Sequence, residues 1–130
     1  MVIDTSAIVS ILFDEPQRAT LTRAIAADQV RLLSAANLLE TTLVVEARRG
    51  EPAGRELDLL LHRARVDIVA VTADQVGVAR RAWRRYGKGR HPASLNFGDC
   101  FAYALAESAR EPLLCVGADF AQTELARVLE

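Results

Sequence analysis

The chain has 130 residues, which is the size of one domain, and it is 51% hydrophobic and 25% charged, a composition that excludes a disordered protein. Its formal net charge of −1 gives no overall attraction to nucleic acid, so such a partner must be recognised from local clusters. The two cysteines, Cys100 and Cys115, form no CxxC pair, and we expect buried, reduced thiols in a cytoplasmic protein. We predict no signal peptide and no membrane-spanning segment.

The opening segment MVIDTSAI is typical of a short buried strand that ends at an acid and turns directly into a helix. Ligands of parallel α/β sheets bind at the carboxyl ends of the strands, so Asp4 is placed to act on a ligand. The alternative is that Asp4, Thr5 or Ser6 only caps the following helix. If other carboxylates reach the same edge, capping is expected to fall to Thr5 or Ser6, which leaves the Asp4 carboxylate facing a cleft.

The next segments predict two helices separated by a strand. Asp14 resembles the N-cap of a helix with Pro16 in its first turn, and a strand follows at 30–34. A helix over 35–49 is then apolar on nearly every face, with Glu40 in the middle of its apolar run. A buried carboxylate requires an ion pair, hydrogen bonds or a metal ion, so Glu40 is a second candidate site residue.

Residues 51–87 predict a helix, a strand at 66–71 and a helix capped by Thr72, with Trp83 and Tyr86 facing the core. The outer face of the last helix and the loop beyond it are strongly basic, with no acid between residues 80 and 94. The basic residues are Arg80, Arg81, Arg84, Arg85, Lys88, Arg90 and His91. This cluster is either a solvated face or a phosphate-binding rim, in which Arg85, Lys88 and Arg90 would contact RNA.

The last third of the chain contains two further acids. Asn96 can cap a helix in which Asp99 is the third residue, and residues 100–106 are apolar all round, which indicates a buried central helix. An apolar strand beginning near Leu113 is followed by a turn and then by Asp119, which repeats the opening pattern. We expect the residues after it to form a turn and a short last strand or helix.

The order of elements predicts an α/β fold with a single domain over residues 1–130, in which a parallel sheet of four to five short strands has helices on both faces. If the first and last strands are neighbours, four carboxylates share one cleft, those of Asp4, Glu40, Asp99 and Asp119. Like charges this close raise one another's pKa values, and a hard divalent cation, Mg²⁺ or Mn²⁺, relieves the repulsion. One or two such ions can activate water for phosphodiester hydrolysis.

The sequence resembles the PIN-domain ribonucleases, and among them the VapC toxins of type II toxin–antitoxin systems. The resemblance rests on VIDTSA with Asp4, LLETTLVVEAR with Glu40, YGKGRHPASLNFGDCFAYALA with Asp99 and PLLCVGADF with Asp119. It implies an endoribonuclease that depends on Mg²⁺ or Mn²⁺, cuts tRNA or ribosomal RNA, forms a homodimer and is inhibited by a VapB-like antitoxin. It also implies that Asp4 and Asp99 are the firmest metal ligands, that Glu40 and Asp119 complete the site, and that Ser6 orients Asp4.

Three other protein classes share part of this pattern. A haloacid-dehalogenase-like phosphatase needs a second Asp two residues after the first, where this chain has Ser6. A response-regulator receiver domain needs an acidic pair near the first strand, which is absent here. A PIN-like module that binds RNA or a protein without cutting is the remaining alternative, and the complete set of four acids argues against it.

Overall fold

Four short parallel strands form a central sheet in the order β3-β2-β1-β4, as described by a computed structural model of residues 1–130. The strands are β1 Val2–Ile3, β2 Leu32–Ser34, β3 Asp67–Val69 and β4 Leu113–Leu114. The helices are α1 Thr5–Leu12, α2 Arg18–Ala27, α3 Ala35–Arg49, α4 Glu51–Arg63, α5 Ala73–Tyr86 and α6 Phe97–Ala109, with a 3₁₀ turn at Asp119–Gln122. None of the helices combines the length and the apolar run that are needed to cross a bilayer.

Strands β1 and β4 are neighbours in the sheet. This is the arrangement that the sequence analysis required for the four carboxylates to share one cleft. Val2 pairs with Leu113 and Ile3 with Leu114, all in parallel register. The chain after the 3₁₀ turn returns to this edge of the sheet, where Arg127 forms an isolated parallel bridge with Leu113. The predicted parallel sheet of four to five strands is therefore confirmed, with four strands and one bridging segment.

Alternating residues of the strands point to opposite faces of the sheet and enter two separate hydrophobic clusters. Val2 and Leu113 pack with α5 and α6, whereas Ile3 and Leu114 pack against the layer of α1 to α4. Helices therefore cover both faces, and the acids that follow β1 and β4 lie at the carboxyl edge between the two layers.

The entry into α2 differs from the sequence prediction. The helix begins at Arg18, and Asp14 is not its N-cap but a turn residue with a φ of 52°. Glu15 is bonded to α1 rather than included in α2, because its carboxylate accepts a hydrogen bond from Ser10 Oγ at 3.0 Å. Asp14 forms an exposed ion pair with Arg18 at 3.3 Å instead.

Two predictions about buried helix faces are wrong. Helix α3 is not buried all round, because Leu39 and Leu43 have exposed fractions of 59% and 61%. Its packed stripe is formed by Asn37, Thr41 and Val45, and the two polar side chains donate hydrogen bonds inside the protein, Asn37 Nδ2 to the Gly98 carbonyl and Thr41 Oγ1 to the Asn37 carbonyl. In α5, Tyr86 is buried as predicted, but Trp83 is 43% exposed, since the packed face runs through Ala79, Ala82 and Tyr86.

Leu57 of α4 is fully buried in the cluster beneath α1, and its truncation tests that packing. We expect Leu57→Ala to lower the free energy of unfolding by about 2–5 kcal/mol through lost burial and a residual cavity. Leu59→Ala, two residues along the same helix at a largely exposed position, should change it by less than about 0.5 kcal/mol. Urea unfolding of the two variants measures both values, and equal losses would contradict the described packing.

Candidate active site

Four carboxylates line one cleft of about 250 Å³ at the carboxyl edge of the sheet. Asp4 follows β1, Glu40 comes from α3, Asp99 from the first turn of α6, and Asp119 from the 3₁₀ turn after β4. The structure therefore brings together the four acids that were singled out in the sequence. As the side chains are placed, no three His, Cys, Asp or Glu residues converge closely enough to enclose a metal ion.

Asp4 is buried at the start of α1 and caps that helix itself, so the expectation that Thr5 or Ser6 would take over capping is wrong. Its Oδ2 atom accepts hydrogen bonds from the Ser6 amide at 3.0 Å and from Ser6 Oγ at 2.6 Å. Ser6 Oγ in turn accepts from the amide of Val116 at 3.0 Å, which connects Asp4 to the loop after β4. Both bonds from Ser6 fall on Oδ2, so capping and ligand binding can use different oxygens of one carboxylate.

Glu40 is half-buried rather than enclosed, because its carboxylate opens into the cleft. Its Oε1 atom accepts hydrogen bonds from Thr5 Oγ1 at 2.6 Å and from Asn37 Nδ2 at 3.1 Å. Thr41 Oγ1 lies 3.0 Å from Thr5 Oγ1 and supports that threonine from behind. Thr5 and Asn37 thus fix the direction of Glu40, and the sequence analysis missed this role for both. The spacing of Asn37 and Glu40, three residues apart on one helix face, was the available signal.

Asn37 also links α3 to α6 at Gly98. Its Nδ2 atom donates to the carbonyl of Gly98 at 2.9 Å, and its Oδ1 atom is buried without a hydrogen-bond partner. The Glu40 carboxylate lies directly against Gly98, and a Cβ atom at this position would overlap with it. Glycine therefore permits the close approach that brings Asp99 to the same cleft as Glu40.

Asp99 has two roles, because it supports the helix cap and lines the cleft. Its amide donates to Asn96 Oδ1 at 2.9 Å, and its Oδ2 atom accepts from the Asn96 amide at 3.0 Å, which completes a capping box. Burial raises the pKa of Asp99 to about 7, with further contributions from Asp4, Asp119 and Glu40. Burial likewise raises the pKa of Asp4, against the opposing effect of its hydrogen bonds from Ser6.

Asp119 is the exposed member of the set. Strand β4 ends at Leu114, and a loop separates it from Asp119, in the order strand, turn and acid that the sequence pattern predicted. Phe120, its neighbour in the 3₁₀ turn, is buried in the core and fixes this turn at the rim of the cleft. Asp119 therefore faces the cleft from the solvent side.

The basic residues at the end of α5 lie outside this cleft. The Arg85 guanidinium lies 4.9 Å from the centre of the Tyr86 ring, and that of Arg90 lies 4.1 Å from the centre of the Trp83 ring. Lys88 is exposed in the loop that follows α5. These contacts with aromatic rings hold the two arginines on the surface.

Neither cysteine is a candidate nucleophile. Both are free thiols, Cys100 buried and Cys115 half-buried rather than fully buried as we expected. Burial raises the pKa of each thiol to about 11, so both are protonated at neutral pH. The chemistry of the cleft therefore rests on its carboxylates.

The raised pKa of Asp99 predicts a pH-dependent stability in the absence of divalent cations. Since this pKa of about 7 lies above the usual Asp value of 3.8, the stabilising contribution of protonated Asp99 is complete below about pH 4 and is lost as the pH rises through about 7. Asp99→Asn keeps a neutral side chain and an acceptor for the cap. In EDTA, the melting temperature of this variant minus that of the parent should therefore increase as the pH rises from about 5 to about 8.

Asp58→Asn, on the exposed surface of α4, is the matched control and should keep a constant difference from the parent over this pH range. The same constant difference for Asp99→Asn would contradict a raised pKa at Asp99.

Comparisons with known proteins identify the fold and the family of the chain. A PIN-domain family model matches residues 1–125. Ribonuclease VapC30 of Mycobacterium tuberculosis is 60% identical over 128 residues, which cover 98% of each chain. Among solved structures, M. tuberculosis VapC20, described as a sarcin–ricin loop cleaving toxin, superposes with a TM-score of 0.79 at 20% identity over 96% of this chain and 95% of its own.

VapBC2 of Rickettsia felis, solved bound to a DNA fragment from the promoter of its two components, gives a TM-score of 0.76 at 14% identity over 97% of this chain and 95% of its own. At these identities the two structures show the fold, whereas the family model and the 60% identical relative show the family. The chain belongs to the PIN-domain family and, within it, to the VapC ribonucleases.

Proposed function

We propose that this protein is the toxin of a type II toxin–antitoxin system and acts as an endoribonuclease that depends on Mg²⁺ or Mn²⁺. The observation that supports this most directly is the shared cleft of Asp4, Glu40, Asp99 and Asp119 at the carboxyl edge of the sheet. The ribonuclease names of its 60% identical relatives supply the class of reaction. Hydrolysis of RNA phosphodiesters is the activity that both fit.

The donor set fits a hard divalent cation. All four acids offer carboxylate oxygens, which Mg²⁺ and Mn²⁺ prefer. Burial and mutual repulsion disfavour the ionised form of Asp99, and a cation at the same place would favour it. Asp4 and Asp99 are proposed as the firmest ligands of one or two ions, and Glu40 and Asp119 as residues that complete the site. When bound, the cation supplies a positive charge that activates water and offsets the charge of the phosphodiester.

The surrounding residues hold these carboxylates in place. Ser6 fixes Asp4 through its amide and hydroxyl groups, and Thr5 and Asn37 fix Glu40 from two directions. Neighbours that orient a ligand typically change metal affinity or activity about 10–100-fold when they are removed. The nucleophile of the proposed reaction is a water molecule, which a divalent cation held by these carboxylates would activate.

The RNA substrate is proposed to be a tRNA or a ribosomal RNA. VapC20, which shares the fold, is described as cleaving the sarcin–ricin loop. In this chain the exposed end of α5 and its following loop carry Arg85, Lys88 and Arg90, which we propose contact phosphates of the substrate.

The partner is proposed to be a small VapB-like antitoxin, and the active form a homodimer. The R. felis structure contains both components of such a pair. Here Leu39 and Leu43 are exposed one turn apart on α3, and Leu39 directly precedes Glu40. An apolar surface this close to the cleft suits an inhibitor that covers the acids.

The proposed mechanism predicts that single neutral substitutions in the cleft remove activity without unfolding the protein. Asp4→Asn and Asp99→Asn should each lower cleavage of total cellular RNA by more than about 100-fold, since ligands matter more than the groups that orient them. Asp4→Asn preserves the cap of α1, because Asn caps a helix as well as Asp does, and Asp99→Asn keeps an oxygen that can accept from the Asn96 amide. Mapping of new 5′ ends in RNA incubated with purified protein and Mg²⁺ measures the loss.

Asp58→Asn should cleave like the parent, and excess EDTA should stop cleavage by both. Undiminished cleavage by Asp4→Asn or in EDTA would overturn the metal mechanism. Failure of the parent to cleave any RNA with Mg²⁺ or Mn²⁺ would favour the alternative of a PIN-like module that binds without cutting.

A further inference from the structure

Asp119 is carried into the cleft by a segment with few attachments to the rest of the protein. Strand β4 ends at Leu114, and the chain is joined to this strand again only at Ala126, whose carbonyl accepts from the Leu113 amide at 2.9 Å. The 3₁₀ turn that contains Asp119 lies between these two points. Its orientation is therefore set by the contacts of residues 117–125.

Most hydrogen bonds of residues 117–125 stay inside this segment. The Thr123 amide donates to the Phe120 carbonyl at 3.1 Å, and the Thr123 hydroxyl donates to the same carbonyl at 2.8 Å. The Leu125 amide donates to Thr123 Oγ1 at 3.3 Å. These bonds make the turn a compact unit, but they do not orient it against the helices.

Glu124 is the residue that joins this unit to the helices by hydrogen bonds. Its Oε2 atom accepts from the hydroxyl of Tyr86 at the end of α5, and its Oε1 atom accepts from the hydroxyl of Tyr103 in α6. No other hydrogen bond leads from residues 117–125 to another helix or strand. We call Glu124, Tyr86 and Tyr103 the carboxylate clamp.

The protonation states of the clamp suit two strong hydrogen bonds. Burial, together with the bonds to Glu124, raises the pKa of Tyr86 and of Tyr103, so both hydroxyl groups remain donors at neutral pH. Burial alone would raise the pKa of Glu124, but the bonds from Tyr103 and Tyr86 outweigh it and lower that pKa. An ionised carboxylate thus accepts from two neutral hydroxyl groups, which is a charge-assisted arrangement.

The clamp and the buried ring of Phe120 hold the turn at its two ends. Phe120 directly follows Asp119 and packs in the same hydrophobic cluster as Tyr86 and Tyr103, whereas Glu124 lies beyond the turn. A turn attached only through Phe120 would be free to rotate about that side chain. Such a rotation would swing the exposed Asp119 away from the cleft, so the second attachment fixes its direction.

We propose that Glu124, held by Tyr86 and Tyr103, is a positioning residue that keeps Asp119 directed into the acid cleft. Glu124 does not line the cleft itself and acts only through the orientation of the turn. Without the clamp, Asp119 turns toward solvent and the site loses one of its four carboxylates. This inference rests on the proposed function, because it assigns a support to one residue of the proposed metal site.

The first measurement needs no cation. Hydrogen exchange of peptides covering residues 117–125 is compared in EDTA between the full-length parent, Glu124→Ala and the double variant Tyr86→Phe/Tyr103→Phe, which removes both donors but keeps the charge of Glu124. Both variants should exchange these amides about 10-fold faster, since each loses the charge-assisted bonds. Glu56→Ala, at an exposed acid of α4, is the matched control and should exchange like the parent. Unchanged exchange in both clamp variants would overturn the proposal.

The second measurement is the affinity for Mn²⁺, read from the electron paramagnetic resonance signal of the free ion. Glu124→Ala and the double tyrosine variant should each weaken Mn²⁺ binding by about 10-fold, as expected for groups that orient a metal ligand. In an Asp119→Ala background the same changes should cause no further loss, because the clamp then has no ligand to direct. Glu56→Ala should bind Mn²⁺ like the parent. An equal loss with and without Asp119 would contradict a role through this residue.

Failure of this inference is distinguishable from failure of the proposed function. Mn²⁺ binding and RNA cleavage by the parent that persist unchanged in both clamp variants reject the clamp and retain the nuclease. A parent that binds no Mn²⁺, together with faster exchange in both clamp variants, rejects the metal mechanism and retains the clamp as the support of the turn that carries Asp119.

Discussion

The contact between Glu40 and Gly98 is the constraint on which the rest of the site depends. Glu40 lies against the backbone at the start of α6, where any side chain larger than hydrogen would overlap with its carboxylate. Thr5 and Asn37 hold that carboxylate from the first helix and from its own helix. One acid therefore joins α1, α3 and α6 at a single point, and Asp99 reaches the cleft because Gly98 lets its helix begin there.

This arrangement places like charges together at a cost to the fold. Burial raises the pKa values of Asp4 and Asp99, so each carboxylate resists ionisation where it stands. Hydrogen bonds from Ser6 to Asp4 and from Asn96 to Asp99 partly offset that resistance. A divalent cation would offset the remainder, and the same cation would supply the positive charge that phosphodiester hydrolysis needs. In the proposed account, the clustered carboxylates that lower the stability of the cation-free protein are the same residues that make it a nuclease.

Much of this could be predicted from the sequence, because the informative patterns are local. Strands of apolar residues, the caps at Thr72 and Asn96, and the order of elements indicate a parallel sheet whose carboxyl edge collects the acids. The predictions that were wrong concern side chains whose contacts lie far away in the sequence. The packed face of α3 is partly polar because Asn37 and Thr41 find partners in α1 and α6, so apolar Leu39 and Leu43 face outward. Likewise, Asp4 caps its helix and still faces the cleft. The opening segment MVIDTSAI alone does not reveal that one carboxylate has both roles.

The central claim is that the four carboxylates together hold a divalent cation, and the most direct test is the anomalous scattering of Mn²⁺ in crystals of the protein. The account predicts an anomalous peak in the cleft, with Asp4 and Asp99 among its ligands, and its disappearance in crystals of Asp4→Asn grown under the same conditions. A cleft without such a peak at saturating Mn²⁺, or a peak that persists unchanged in Asp4→Asn, would contradict it.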